Sequence, residues 1–298
     1  MRYGIKVVLL SLVSVAVVAS AASGQTTLRY KFKKDEKLNY VMDQKMKMTM
    51  NIMNMEIDTK MNMSMDMTWK ILDVNQDGSA KLEIKVTHAK LSMDGPTGQI
   101  EVDSAMKDEP DDAVGKIFSQ IVKATGAMEM SGTMLTTGEL KDFKVSEATL
   151  KAMKNLPGAD KVGNAITPES FKSMVSGLVF PNDAVTKGKT WTNKTENKTP
   201  FGKTVTENTY TYEGTTQKDK TTLDKIGIKP NMQIEADAKA EVKIKLKDSK
   251  GSGNILFNNT TGQMIETVTN QVMQMQLGVN NLNFDQTIDQ TITIRLKK

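Results

Sequence analysis

Met61-Asn62-Met63-Ser64-Met65-Asp66-Met67-Thr68-Trp69-Lys70-Ile71 places an apolar side chain at every odd position and a polar one at every even position. Successive side chains of a strand point to opposite faces, so this alternation defines a β-strand with one apolar and one wet face. The same period runs through Met232, Ile234, Ala236, Ala238, Ala240, Val242, Ile244 and Leu246, with charged or amide residues between them. It returns near the C-terminus in Phe284, Ile288, Ile292, Ile294 and Leu296. The pattern predicts a mainly β protein of the β-rich α+β kind. The architecture expected is a large curved antiparallel sheet, or two packed antiparallel meanders, with two or three short helices in the middle of the chain.

Around these strands the chain divides into a first meander (27–104), a helical middle (109–180) and a second meander (181–298). Residues 25–298 are read as a single β-rich domain. In the first meander a long strand runs from Leu38 to Ile52, and the apolar parity then switches to Met53, Met55 and Ile57, which calls for a turn or bulge. Asn75-Gln76-Asp77-Gly78 makes a hairpin turn into a strand from Ala80 to Met93. In the middle, Val114, Ile117, Phe118, Ile121 and Val122 fall at helical spacing before Gly126. Ser146 starts a short helix with Leu150 and Met153 inward. Thr167-Pro168-Glu169 supplies an N-cap, a proline at the first helical position and an acid at the positive dipole end. Phe171, Met174, Val175 and Leu178 are the buried stripe expected of that helix. The second meander is read as seven strands, with turns at Pro200-Phe201-Gly202, Lys229-Pro230-Asn231, Lys250-Gly251 and 258–262.

Residues 1–24 have the form of a signal peptide, with Arg2 and Lys6 ahead of an apolar run from Val7 to Val18 and small residues from Ala19 to Gly24. Cleavage is expected after Ala21 or Gly24. The apolar run is shorter than the roughly 20 residues a membrane span needs. No integral span is therefore expected after cleavage, and the chain is read as exported to the periplasm or the outside. It has no Cys, which rules out disulfides, thiol chemistry and lipid attachment through a Cys. Removing Arg2 and Lys6 turns 40 basic residues into 38, against 35 acidic ones, so the mature chain is nearly balanced. Aromatics are 5% of the residues, too few for base-stacking platforms, and no nucleic-acid partner is expected.

Several segments carry a resemblance. They are Leu28-Arg29-Tyr30-Lys31-Phe32-Lys33-Lys34-Asp35-Glu36, Thr68-Trp69-Lys70 with Asp77-Gly78-Ser79-Ala80, Val185 to Trp191, and Gly253-Asn254-Ile255-Leu256-Phe257 with Thr261-Gly262-Gln263. Together they resemble an uncharacterised family of exported, β-rich bacterial proteins, a domain of unknown function. The resemblance implies a β-rich fold over nearly all of the mature chain. The motifs are turn and strand patterns, and the family brings no activity with it.

The methionines are the compositional oddity: of 22, ten lie at Met42, Met46, Met48, Met50, Met53, Met55, Met61, Met63, Met65 and Met67. Flexible, polarizable thioethers suit a plain core, the lining of an apolar or lipidic ligand site, or copper(I). Alternate residues on one strand are about 6.5–7 Å apart, so a metal site would need facing strands. A pocket is expected to be lined by Met46, Met48, Met50, Met63, Met65 and Met67, with a lid of Phe118, Ile121, Phe171 and Met174. His88, the sole histidine, shares the parity of Leu82, Ile84 and Val86 and is read as an inward core or rim residue. No nucleophile with a base, phosphate loop or metal-ligand spacing stands out, so the chain is read as a non-enzyme with no cofactor and no metal ligands. Three readings remain open: a carrier of an apolar or lipidic molecule on the concave face, a structural or interaction module of the cell envelope with a solid core, and a copper(I)-binding protein. A carrier calls for a void of about 300 Å³ or more.

Overall fold

The computed structural model describes residues 24–52, 55–96, 98–157, 167–199, 202–237, 240, 242–279 and 282–297. The expected signal peptide and Met53 lie outside these residues, Gly24 excepted. The described chain forms one open antiparallel sheet of twelve strands. The first strands are β1 (Lys37–Ile52), β2 (Met55–Val74), β3 (Ala80–Gly95) and β4 (Gly98–Asp103), followed by helix α1 (Ala113–Thr125). Then come β5 (Glu129–Met134), β6 (Leu140–Val145), α2 (Glu147–Lys154) and α3 (Pro168–Val175). The last six strands are β7 (Thr190–Thr199), β8 (Gly202–Lys218), β9 (Thr221–Ala236), β10 (Val242–Asn258), β11 (Gln263–Val279) and β12 (Leu282–Leu296).

Spatial order is β6-β5-β3-β2-β1-β12-β11-β10-β9-β8-β7, with β4 also on β3. The first and last long strands pair over their length, from Tyr40–Leu296 to Asn51–Asp285. That pairing fuses the two meanders into one sheet and decides against two packed ones. The mid-chain strands β6 and β7 become the free edges, and α3 packs against both. The sheet therefore curls until its edges meet a helix, which shields edges that would otherwise invite pairing with another chain.

One end of the curled sheet is closed by the segment ahead of β1. Thr26 and Val185 exchange backbone hydrogen bonds, Tyr30 N donates to Thr136 O, Lys31 N to Gly262 O and Asp35 N to Ile71 O. Inside this end Tyr30 stacks on Phe32 and meets Phe257 edge-on at 5.3 Å, and Phe180 meets Phe257 edge-on at 4.7 Å. Leu28, Ile71, Leu82, Ile84 and Ile226 complete the buried core here.

The period-two register holds in β2: Met65 and Met67 are buried, Met63 is half-buried, and Asn62 is exposed. Two turns fall elsewhere than expected. Lys229-Pro230-Asn231 and Lys250-Gly251 lie inside β9 and β10, so the second meander has six strands. β9 ends at Ala236 and β10 begins at Val242, and the sequence between them lacks Gly, Pro and Asn and keeps the apolar parity, which hid the break. Pro230 has no N–H to give, and the β9–β10 ladder stops just before it, at Ile228–Gly253. A Cβ at Gly251 would stand 2.3 Å from the Pro230 ring, so only glycine lets the two strands lie this close.

α1 is also rotated from the expected stripe. Gly115, Ser119 and Val122 are buried, Phe118 and Ile121 are half-buried, and Val114 and Ile117 are exposed. Small residues one turn apart let the helix approach β3 and β4 closely. Asp112 caps α1, Ser146 caps α2, and Thr167 with Ser170 forms a capping box on α3.

Candidate functional site

Side chains pointing into the curl form two unlike zones separated by a row of amides. Gln44 Nε2 donates to Gln290 Oε1 at 3.1 Å, Gln290 Nε2 to Gln271 Oε1 at 3.0 Å, and Gln271 Nε2 to Ser249 Oγ at 3.2 Å. The row crosses β1, β12, β11 and β10. Toward the far end lies a methionine zone, in which Met48, Ile288 and Met273 stand opposite one another, as do Met46, Met61 and Met93. Toward the closed end lies a cavity of about 250 Å³.

That cavity is the hollow of the curl. Its walls come from β1, β2, β5, every strand from β7 to β12, and the end of α3 with the residues after it. Tyr40, Met67 and Trp69 form one side, Tyr210, Ile228 and Ile255 face them, and Ile292 and Ile294 lie between. Thr267, Thr269, Asn193, Thr195 and Asn208 add polar points. None of the lining residues is Lys, Arg, His, Asp or Glu. Burial pushes the Tyr210 hydroxyl up to about 12 and drives those of Tyr30 and Tyr40 upward too, so the wall is uncharged at any ordinary pH. A larger hollow, about 430 Å³, is lined by Asp43, Lys45, Lys90 and Arg295 and belongs to the wet outer face. A third, about 370 Å³, opens where the β9–β10 ladder has ended, between Ile234, Ala236, Ile244 and Leu246.

Of the ten residues expected around a pocket, Met67 and Met174 line this cavity. Met65 and Phe171 are buried in the core beside it. Met46, Met48, Met50 and Met63 are half-buried on the same face, and Phe118 and Ile121 ride on α1. Reasoning from methionine density missed Tyr40, Trp69, Tyr210 and the C-terminal isoleucines. It also missed the amides, although Gln44, Gln271 and Gln290 sit at apolar-parity positions, which is a readable signal. His88 is corrected: the β2–β3 register shifts between Asp66 and Met67, Thr87 bulges out, and the parity after it reverses. Its Nε2 lies 2.8 Å from Asp103 Oδ1, and the side chain is 38% exposed. Gly251 and Gly253 both lie within β10.

Among the described residues no group of three or more His, Asp or Glu could hold a metal, and no helix is long and apolar enough to cross a membrane.

One buried carboxyl stands outside the cavity. Tyr212 Oη donates to Asp224 Oδ1 at 2.7 Å, and burial raises the Asp224 carboxyl above its usual range. A raised folded-state pKa means that this group's contribution to stability is complete below its unfolded value and is lost as pH rises through the folded one. Asp224→Asn should therefore make the protein more stable relative to wild type at pH 7 than at pH 4, read as melting temperature against pH. Tyr212→Phe leaves the carboxylate without its donor and should cost about 1–3 kcal/mol. An Asp224→Asn curve parallel to wild type would contradict the assignment.

The chain belongs to a family of unknown function, DUF6263, whose model matches residues 77–264. No curated protein matches it. Among solved structures it is similar to lipovitellin, described for its lipid–protein interactions, at 11% identity and a TM-score of 0.48, over 90% of this chain and 26% of that one. The chain thus spans about a quarter of that protein's length. It is similar to the translocator domain of the autotransporter NalP from Neisseria meningitidis at 6% identity and a TM-score of 0.22, over 89% of each chain. An outer membrane channel from Pseudomonas putida F1 matches at 7% identity and a TM-score of 0.25, over 90% of this chain and 97% of that one. At these scores none of the three bears on the activity.

Proposed function

We propose that this is an exported, non-catalytic protein that holds an apolar or lipidic molecule inside its curled sheet. The observation that carries the reading is the cavity of about 250 Å³, walled by strands from across the sheet and free of ionisable groups other than tyrosine. Its size falls just below the roughly 300 Å³ expected of a carrier, so it would take one slim chain or a single flat aromatic molecule and nothing larger. A protein whose sheet served only as scaffold would gain by filling this void, because each missing contact weakens packing. Export rests on the pattern of residues 1–24, and 25–298 would then be one β-rich domain.

Titration with the uncharged dye N-phenyl-1-naphthylamine should show saturable one-to-one binding. Ile294→Phe puts bulk into the hollow and should weaken the dye about tenfold, equivalent to about 1.4 kcal/mol. Dye uptake that never saturates, or that ignores Ile294→Phe in a variant that still melts cooperatively, would show that the hollow is not the site. Native mass spectrometry of gently purified protein is the companion measurement: a co-purifying lipid supports the reading, and bound copper would move attention to the facing methionines.

A further inference from the structure

The amides of the curled sheet are gathered at one level. Asn193 of β7 stands opposite Asn208 of β8, and Asn208 opposite Pro230 of β9. Gly251 of β10 lies against the Pro230 ring and opposite Gln271 of β11, which in turn stands opposite Gln290 of β12. From β7 to β12 this level therefore presents carboxamides, one proline and one glycine, and no charge. Two residues nearer the closed end, the same strands put Tyr210, Ile228, Thr269 and Ile292 on the cavity wall, and beyond them come Ile255 and Ile294. Along its strands the hollow thus passes from neutral polar to apolar.

Asn193 shares a strand face with Trp191, whose ring stacks on buried Tyr210 at 5.5 Å, and Asn193 itself lines the cavity. Among the described residues the side chains of Asn193 and Thr269 make no hydrogen bond within the protein. An alkane laid across this level would take water from the amides and return nothing. An ionised head would find no counter-charge, since no lining residue is Lys, Arg or His. A carboxamide and a threonine hydroxyl each both donate and accept, and so does the hydroxyl of an alcohol.

We propose that the cavity takes an uncharged amphiphile with one slim acyl chain and a hydroxyl-bearing head, a monoacylglycerol in chemical class. Its chain lies among Ile255, Ile294 and Tyr40, and its head hydroxyls meet Asn193 and Thr269 at the amide level. This deepens the reading of the protein as an apolar binder and rests on it.

The test compares 1-octanoylglycerol, methyl octanoate and octanoate at pH 8, each below its critical micelle concentration, as competitors of the naphthylamine dye on wild type and Asn193→Ala. The glycerol ester should bind wild type about tenfold tighter than the methyl ester, the worth of about two added neutral hydrogen bonds. Asn193→Ala should cut that preference to about threefold while leaving the methyl ester unchanged, and octanoate should be the weakest of the three. The variant removes no hydrogen bond within the protein, so cooperative melting is expected to persist and is checked alongside. A readout on the wild-type protein is the side-chain amide ¹⁵N–¹H pair that Asn193→Ala removes: it should shift with the glycerol ester and stay with the methyl ester. Equal binding of the two esters, a full preference that survives Asn193→Ala, or octanoate binding as tightly as the glycerol ester would each overturn the proposal and leave an apolar binder of another kind. Failure of the dye and the methyl ester alike would overturn the underlying reading instead.

Discussion

Phe257→Ala should unfold at a lower denaturant concentration than any other single truncation at the closed end, with a loss of about 3–5 kcal/mol. Phe257 is 0% exposed. It stands edge-on to both Tyr30 and Phe180, so truncation removes a ring's burial and two aromatic contacts together. The site has little freedom to collapse. Phe257 stands on β10 next to the turn at 258–262, where Asn258 O accepts from Gly262 N. Tyr30 is tied to Leu178 O, and Phe180 is tied to Thr137 O through its backbone N–H. A void left here stays open, which is the condition for the upper end of the range. Because Tyr30 also walls the cavity, Phe257→Ala should loosen the cavity floor and weaken the naphthylamine dye as well. Equilibrium denaturation gives the first quantity and dye titration the second. A loss under about 1 kcal/mol would mean that the three rings do not form a packed plug.

Most of the strands were legible in the sequence because a period of two survives over long runs of them independently of what lies beside them. Met61 to Ile71 declares its face without any knowledge of β1 or β3. Two helix starts were legible for the same local reason, since Ser146 and Thr167 each accept from the backbone N–H three residues on. What could not be read is whatever depends on partners far along the chain. Nothing near Tyr40 says that Leu296 will lie opposite it, yet that pairing decides between one sheet and two. Nor does anything local announce the bulge at Thr87, which turns His88 outward.

The cavity is a step further from the sequence. It exists because a wide sheet curls, and curl depends on where strands can bend and close up. Gly253 lies where a Cβ would come within 2.2 Å of Val268 O, a close approach of β10 and β11 that the string of residues does not reveal. Methionine density pointed to the half of the concave face that has the most pliable side chains. The hollow formed in the other half, where rigid rings and branched chains (Tyr40, Trp69, Tyr210, Ile292, Ile294) cannot bend in to fill it. Flexible residues close gaps, and stiff ones preserve them.

Met65→Ala and Met48→Ala put that contrast to the test, since the two methionines share a face and differ in how they are covered. Met65 is 1% exposed, set between Met42 of β1 and Ala89 of β3. Truncating it should leave a sealed void and cost about 2–5 kcal/mol. Met48, beyond the amide row, is half-buried between Thr59 and Ile288 and borders open space. Its loss removes part of a side chain's burial and creates no new sealed void, so about 1 kcal/mol is expected. Neither residue lines the cavity, so both variants should bind the naphthylamine dye as wild type does once folded. Denaturation midpoints measured side by side, with the slope checked to be unchanged, separate the cases. Equal and large losses would mean that the methionine zone is solid core continuous with the closed end. Dye binding lost in Met48→Ala alone would place the ligand among the methionines, on the far side of Gln44, Gln290 and Gln271.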